Sequence, residues 1–121
     1  MKRADAICSA YNARVKLKVT TPRSYDAIVR YVQRTLPLYE AALAKLAQLQ
    51  PPSRDKAAAR AWLAADRRVA KAVRELGLAA RRRDFPGVSA AASRAQLASS
   101  ESRTAASNLG LHVCGTFRAT G

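Results

Sequence analysis

Apolar side chains recur every three or four residues along most of the chain, and the repeat is interrupted at three proline-marked joints. That spacing belongs to helices with one buried stripe. The first segment, about 3–18, carries Ile7, Cys8, Tyr11, Val15 and Val19 on one face, and Thr20, Thr21 and Pro22 end it. Ser24 is placed to cap a second helix, about 24–49, because its hydroxyl can accept an orphan amide hydrogen while Asp26 meets the positive end of the helix dipole. Its seam is Tyr25, Val29, Val32, Leu36, Tyr39, Leu43 and Leu46, the alternation of a helix packed lengthwise in a bundle. Pro37 removes one hydrogen bond from this run and predicts a kink near 33–37.

Pro51 and Pro52 make a stiff corner, after which Ser53 is expected to cap a third helix, about 53–83. Trp62, Asp66, Val69, Val73, Leu76 and Ala80 form its seam, and Gly77 weakens it by about 1 kcal/mol relative to alanine. Asp84-Phe85-Pro86-Gly87 opens a fourth helix, about 85–109, whose inward positions Val88, Ala91, Ala95, Ala98, Ser102, Ala105 and Leu109 are nearly all small. Such a face buries area only by close approach to its neighbours. Residues 110–121 read as an irregular tail. Four amphipathic segments with short connections predict one all-α domain over 1–121, an antiparallel up-down-up-down four-helix bundle.

Composition narrows this picture without changing it. Of 121 residues 49% are hydrophobic but only 6% aromatic, and 27 are alanine, so the core is thin and built of small side chains. Few β-branched residues leave little material for strands, no stretch of about 18 uncharged residues could span a bilayer, and the patterning is too regular for a disordered chain. Twenty-two Lys and Arg against eight Asp and Glu give +14, which favours anionic partners. A GC-rich genome accounts for the preference for Arg, but not for the deficit of acids.

Cys8 lies near the start of the first helix and Cys114 just past the fourth. In an antiparallel four-helix bundle these two points share one end of the molecule, so the sulfurs can meet. A bond there would close nearly the whole chain and stabilise it by about 4 to 5 kcal/mol on the chain-entropy account. It would also imply an oxidising compartment. The alternative is a pair of buried, reduced thiols.

Ala4-Asp5-Ala6-Ile7-Cys8 followed by Tyr11-Asn12, with Leu109-Gly110-Leu111-His112-Val113-Cys114-Gly115 at the other end, resembles the small exported helical proteins and lipoproteins of actinobacteria. Those carry an Ala-Asp-Ala-Ile-Cys opening and a Leu-Gly-Leu-x-x-Cys-Gly close, and the similarity includes the Pro-Pro corner. The resemblance implies export and a terminal disulfide and names no activity. Met1-Lys2-Arg3 stands where such proteins carry a signal peptide and spacer, so either that segment has been removed or the protein stays in the cytoplasm with reduced cysteines.

Catalytic constellations are not found. His112 is the only histidine, which excludes a zinc site of standard spacing and a Glu-x-x-His di-iron pair; no metal or cofactor is expected. His112 and Cys114 could form a base and thiolate only if Cys114 were free. There is neither a phosphate-binding glycine loop nor a nucleophile elbow, and an enzyme is not expected. Asp66 falls at the edge of an apolar seam with no cation three or four positions away, so its partner must come from another helix or from water. With Glu40, on a similar flank of the second helix, it could hold a cation or small basic ligand; an interhelical ion pair or a bond to a tyrosine hydroxyl accounts for it more simply. Trp62, Tyr11, Tyr25 and Tyr39 read first as core aromatics.

The cations of the third helix are ordered. Lys56, Arg60, Arg67, Lys71 and Arg74 fall opposite its seam, and Arg81, Arg82 and Arg83 continue them, a ladder of about 40 Å with only Glu75 nearby. The spacing would suit the phosphates of DNA, but no Asn or Gln is interleaved to read base edges. The expected function is therefore a monomeric, non-enzymatic, exported domain with a binding or structural role at an anionic polymer or membrane surface of the cell envelope. A cytoplasmic, non-specific nucleic-acid-binding protein and a small-ligand carrier using Asp66 and Trp62 are the alternatives.

Overall fold

A computed structural model describes residues 2–15, 24–111 and 114. Helix α1 is Lys2–Val15, α2 Tyr25–Ala47, α3 Lys56–Arg81 and α4 Phe85–Asn108, and among the described residues there is no strand. The bounds of α2, α3 and α4 lie within three residues of those expected. The expected end of the first helix and most of the tail, with Val19, His112 and Val113, lie outside the described residues.

Local chemistry sets these ends. Ser24 takes extended backbone angles and its hydroxyl accepts from the Ala27 amide at 3.1 Å. Asp84 does the same for α4, accepting from the Gly87 amide at 3.1 Å, while Pro86 sits in the first turn, where its missing N–H costs nothing. Ser53 does not cap α3. Ser53–Asp55 instead form a 3₁₀ turn in which the Asp55 amide donates to the Pro52 carbonyl at 2.8 Å, so the backbone makes the bond expected of the serine. Helix α2 continues through Pro37, which faces solvent.

Both α3 and α4 close with the same pair of backbone bonds. Gly110 donates to Ser107 and Leu111 to Ala106 at 2.9 and 3.0 Å; Arg83 donates to Ala80 and Asp84 to Ala79 at 3.1 and 3.0 Å. Such a closure puts one residue in the left-handed region. Gly110 (φ 73°) suits that position, whereas Arg83 (φ 54°) occupies it against its own sterics.

Helix α2 packs between α1 and α3, and α3 between α2 and α4. As α3 advances from Arg68 to Glu75, its ion-pair partners on α4 step back from Glu101 to Arg94, so these two helices are antiparallel. Contacts of Tyr39 with Asp66 and of Tyr25 with Arg83 give α2 and α3 the same relation. The core runs through Cys8, Tyr11, Tyr39, Leu46, Trp62, Val69 and Val73, then through the alanines of α4. Gly77 is buried against Val32, where a Cβ would lie 2.9 Å from a Val32 methyl, so the missing side chain lets α2 and α3 close up.

The seams depart from expectation at a few positions. Of its predicted stripe α2 buries Val32, Tyr39, Leu43 and Leu46, with Tyr25, Val29 and Leu36 only half-buried, and it also buries Tyr31, Thr35 and Ala42, the row beside it, because it has a helix on each side. On α4 the fully buried position is Ala106 rather than Ala105. Ala4 of α1 is fully buried as well. Cys8 and Cys114 are bonded, with 5.3 Å between their Cα atoms and 106 residues between them in sequence. The Cys114 amide donates to the Asp5 carboxylate at 3.2 Å, so the end of the chain is tied to α1 by a hydrogen bond as well as the disulfide.

Candidate polyanion-binding face

Lys56, Arg60, Arg67 and Lys71 are exposed along the outer side of α3, at helical spacings of four, seven and four. Among the described residues none of them takes part in an ion pair. Arg74 belongs to the same stripe, but its guanidinium meets the Glu40 carboxylate of α2 at 2.5 Å. Arg81 and Arg82 are exposed at the end of the helix, where Arg82 Nε donates to the Leu78 carbonyl at 3.4 Å. Arg83 leaves the ladder altogether. Its left-handed backbone turns the side chain over the Tyr25 ring and to 3.6 Å from Asp26, at the start of α2. Of the eight expected cations, Lys56, Arg60, Arg67, Lys71, Arg81 and Arg82 have no ion pair among the described residues, and the line is broken at Arg74 and ended before Arg83.

Glu75, the one acid expected near the ladder, is occupied by Arg94 of α4 at 2.6 Å, and Arg68 pairs with Glu101 at 2.7 Å. These pairs are half-exposed, so each contributes well under about 1 kcal/mol to stability. Their larger effect is on the surface field. Seven of the eight carboxylates have an intramolecular partner: Asp5 with the Cys114 amide, Asp26, Glu40, Glu75 and Glu101 with arginines, Asp66 with Ser102, and Asp84 with the Gly87 amide. Four of these acids are matched one to one by arginines, and none of the seven pairs with Lys56, Arg60, Arg67 or Lys71.

Between the two α3–α4 ion pairs lies an open groove of about 310 Å³ with Ala72, Ala98 and exposed Leu97 on its walls and Lys71 at its rim. A second, of about 240 Å³, lies between α1 and α2, lined by Ile7, Tyr11 and Leu38 with Lys45 beside them.

Asp66 and Glu40 do not form one site: Glu40 reaches outward to Arg74, whereas Asp66 is only 1% exposed. The Asp66 partner is Ser102 of α4, whose hydroxyl donates to Oδ1, and the Tyr39 hydroxyl donates to the Asp66 carbonyl at 3.4 Å. Burial pushes the Asp66 carboxyl up to about 6, against the hydroxyls of Ser102 and Tyr39, which pull it down. Oδ2 and, one turn earlier, the buried Trp62 Nε1 have no hydrogen-bond partner among the described residues. Burial likewise raises the hydroxyls of Tyr39 and Tyr11, which stay neutral edge-to-face partners with centroids 5.6 Å apart. Trp62, Tyr11 and Tyr39 are core residues, and Tyr25 is half-buried under Arg83.

The disulfide removes the thiol that a His112–Cys114 pair would need. Among the described residues no group of His, Cys, Asp or Glu is arranged to hold a metal ion, and no helix is long and apolar enough to cross a membrane. No family model, curated protein or solved structure matches the chain.

Proposed function

We propose that this protein is a non-enzymatic, disulfide-stapled helical domain, exported to the cell envelope, that binds anionic polymers or surfaces through the outer face of α3. The observation that carries this reading is the contrast in charge use: among the described residues four cations on one helix face have no ion pair, while seven of the eight carboxylates have a partner within the molecule. A face of this kind gains affinity by releasing counterions from a polyanion and reads charge rather than sequence. The Cys8–Cys114 bond supports an oxidising compartment, and hence export over a cytoplasmic nucleic-acid-binding role. The small-ligand reading loses its support at Asp66, where the packing of Trp62, Tyr39 and Ser102 leaves both side chains of the expected site buried.

The test is a salt-elution series on heparin and on duplex DNA. Reversing Arg60, Arg67 and Lys71 to Glu should shift elution to much lower salt than reversing Arg30, Arg34 and Arg103, which are exposed on α2 and α4. Both triple variants have the same net charge. Equal elution would show that only net charge matters and that α3 carries no binding face.

A further inference from the structure

The turn between α3 and α4 combines two properties that a soluble surface usually keeps apart. Phe85, the first residue of α4, is 69% exposed, and Leu78, in the last turn of α3, is 48% exposed. Between them stand Arg81 and Arg82, exposed and without an ion pair among the described residues. The nearest acid, Asp84, is turned to the Gly87 amide and pairs with neither arginine, so at the tip two cations face one acid beside bare apolar area. It is also a short turn: Arg83 and Asp84 donate back to Ala80 and Ala79, and the next helix starts at once.

Resting on the reading of an anionic target, we infer that this turn is a membrane-contact tip for an anionic lipid bilayer. Phe85 and Leu78 enter the boundary between headgroups and acyl chains while Arg81 and Arg82 sit on the lipid phosphates. A linear polyanion offers phosphates or sulfates but no apolar layer, so it would leave both side chains in water; a bilayer satisfies both halves of the tip. Aromatic rings are at home at that depth, and the planar guanidinium pairs with phosphate through two donors. The free cations of α3 end at this tip, so the same stripe that draws the protein to a negative surface delivers the apolar pair to it.

The experiment uses the full, oxidised chain and three probes: vesicles of mixed phosphatidylglycerol and phosphatidylcholine, vesicles of phosphatidylcholine alone, and a heparin column. Replacing Phe85→Ser together with Leu78→Ser should weaken binding to the anionic vesicles about 10- to 100-fold, the loss expected for two apolar side chains, and leave heparin elution unchanged. Emission added by Phe85→Trp should move to the blue with anionic vesicles and stay in place with heparin. Unchanged vesicle affinity in the double variant, or heparin retention by the natural chain without vesicle binding, overturns the tip and leaves the polyanion reading standing. A natural chain that binds neither vesicles nor heparin overturns the polyanion reading itself.

Discussion

Helix α1 and the α3–α4 pair are held in the molecule by different means. Between α3 and α4 the contact is continuous: Ala91, Ala95, Ala98, Ser102 and Ala106 are all buried, two ion pairs flank them, and Asp66 bonds Ser102 across the seam. Helix α1, described over Lys2–Val15, packs on α2 and is fastened by Tyr11 against Tyr39 and by Cys8, whose disulfide partner lies past the end of α4. Small side chains stabilise α4 by allowing its backbone to approach α3 over a long interface, whereas α1 is tied in by a covalent bond.

The largest expected effect tests that division. The Cys8–Cys114 bond spans 106 residues, a loop for which chain entropy gives about 5 kcal/mol of stabilisation. Replacing both cysteines with alanine should lower the melting temperature by many degrees while α2, α3 and α4 keep their helicity at low temperature. Amide exchange should then become fast in α1 before it does in α3. Mass spectrometry without reductant gives the state of the sulfurs in the natural chain. If α1 and α3 lose protection together, the two regions form one cooperative unit and the contrast is false.

The next effect acts on the other region. The Asp66 carboxyl sits at about 6 in the fold against an ordinary 3.8, so folding favours its protonated form. Its contribution is complete below pH 3.8 and is lost as the pH rises through about 6, amounting to about 3 kcal/mol for a shift of this size. Measured by urea unfolding, the stability of the natural chain should therefore fall relative to that of Asp66→Asn across that window, a difference in which the other acids cancel. Reductant should change the height of the natural chain's curve but not its slope, because neither a disulfide nor a thiol titrates in this window. A difference between the natural chain and Asp66→Asn that grows in the natural chain's favour as the pH rises would mean that Asp66 is held as a carboxylate.

How much of this was legible depended on side-chain size and on register. Large apolar residues announce a seam, so α2 and α3 were readable from Tyr39, Leu43, Trp62, Val69 and Val73, and the end-to-end placement of the cysteines was enough to pair them. Alanine is as common outside the core as inside it, so nothing in the pattern singled out Ala4, or Ala106 over Ala105. The polar site failed for a different reason. A helical wheel orders residues on one helix but says nothing of how that helix slides against the next, and this sliding sends Glu40 to Arg74 and leaves Asp66 to Ser102. Ser102 was already an inward position of the fourth helix; only its alignment with Asp66 was missing. The break in the ladder at Arg74 has the same origin, whereas Arg83 departs because the helix ends in a left-handed residue.

The smallest effect sharpens the comparison within the α3–α4 pair, since both helices close by the same backbone bonds, one with Gly110 in the left-handed position and the other with Arg83. A side chain in that conformation costs about 1 kcal/mol. Arg83 is partly compensated by its place over Tyr25 and its approach to Asp26, both of which are lost in any truncation. The natural chain is thus a poor reference for strain, and the informative pair is Arg83→Gly against Arg83→Ala. Both lose the contacts and only alanine keeps the strain, so the glycine variant should be more stable by about 1 kcal/mol in thermal unfolding. Equal stability would mean that the turn relaxes out of its left-handed closure when the arginine is removed. The stiffness that presents Phe85 and Leu78 together would then rest on the contact of Arg83 with α2 instead of on the backbone.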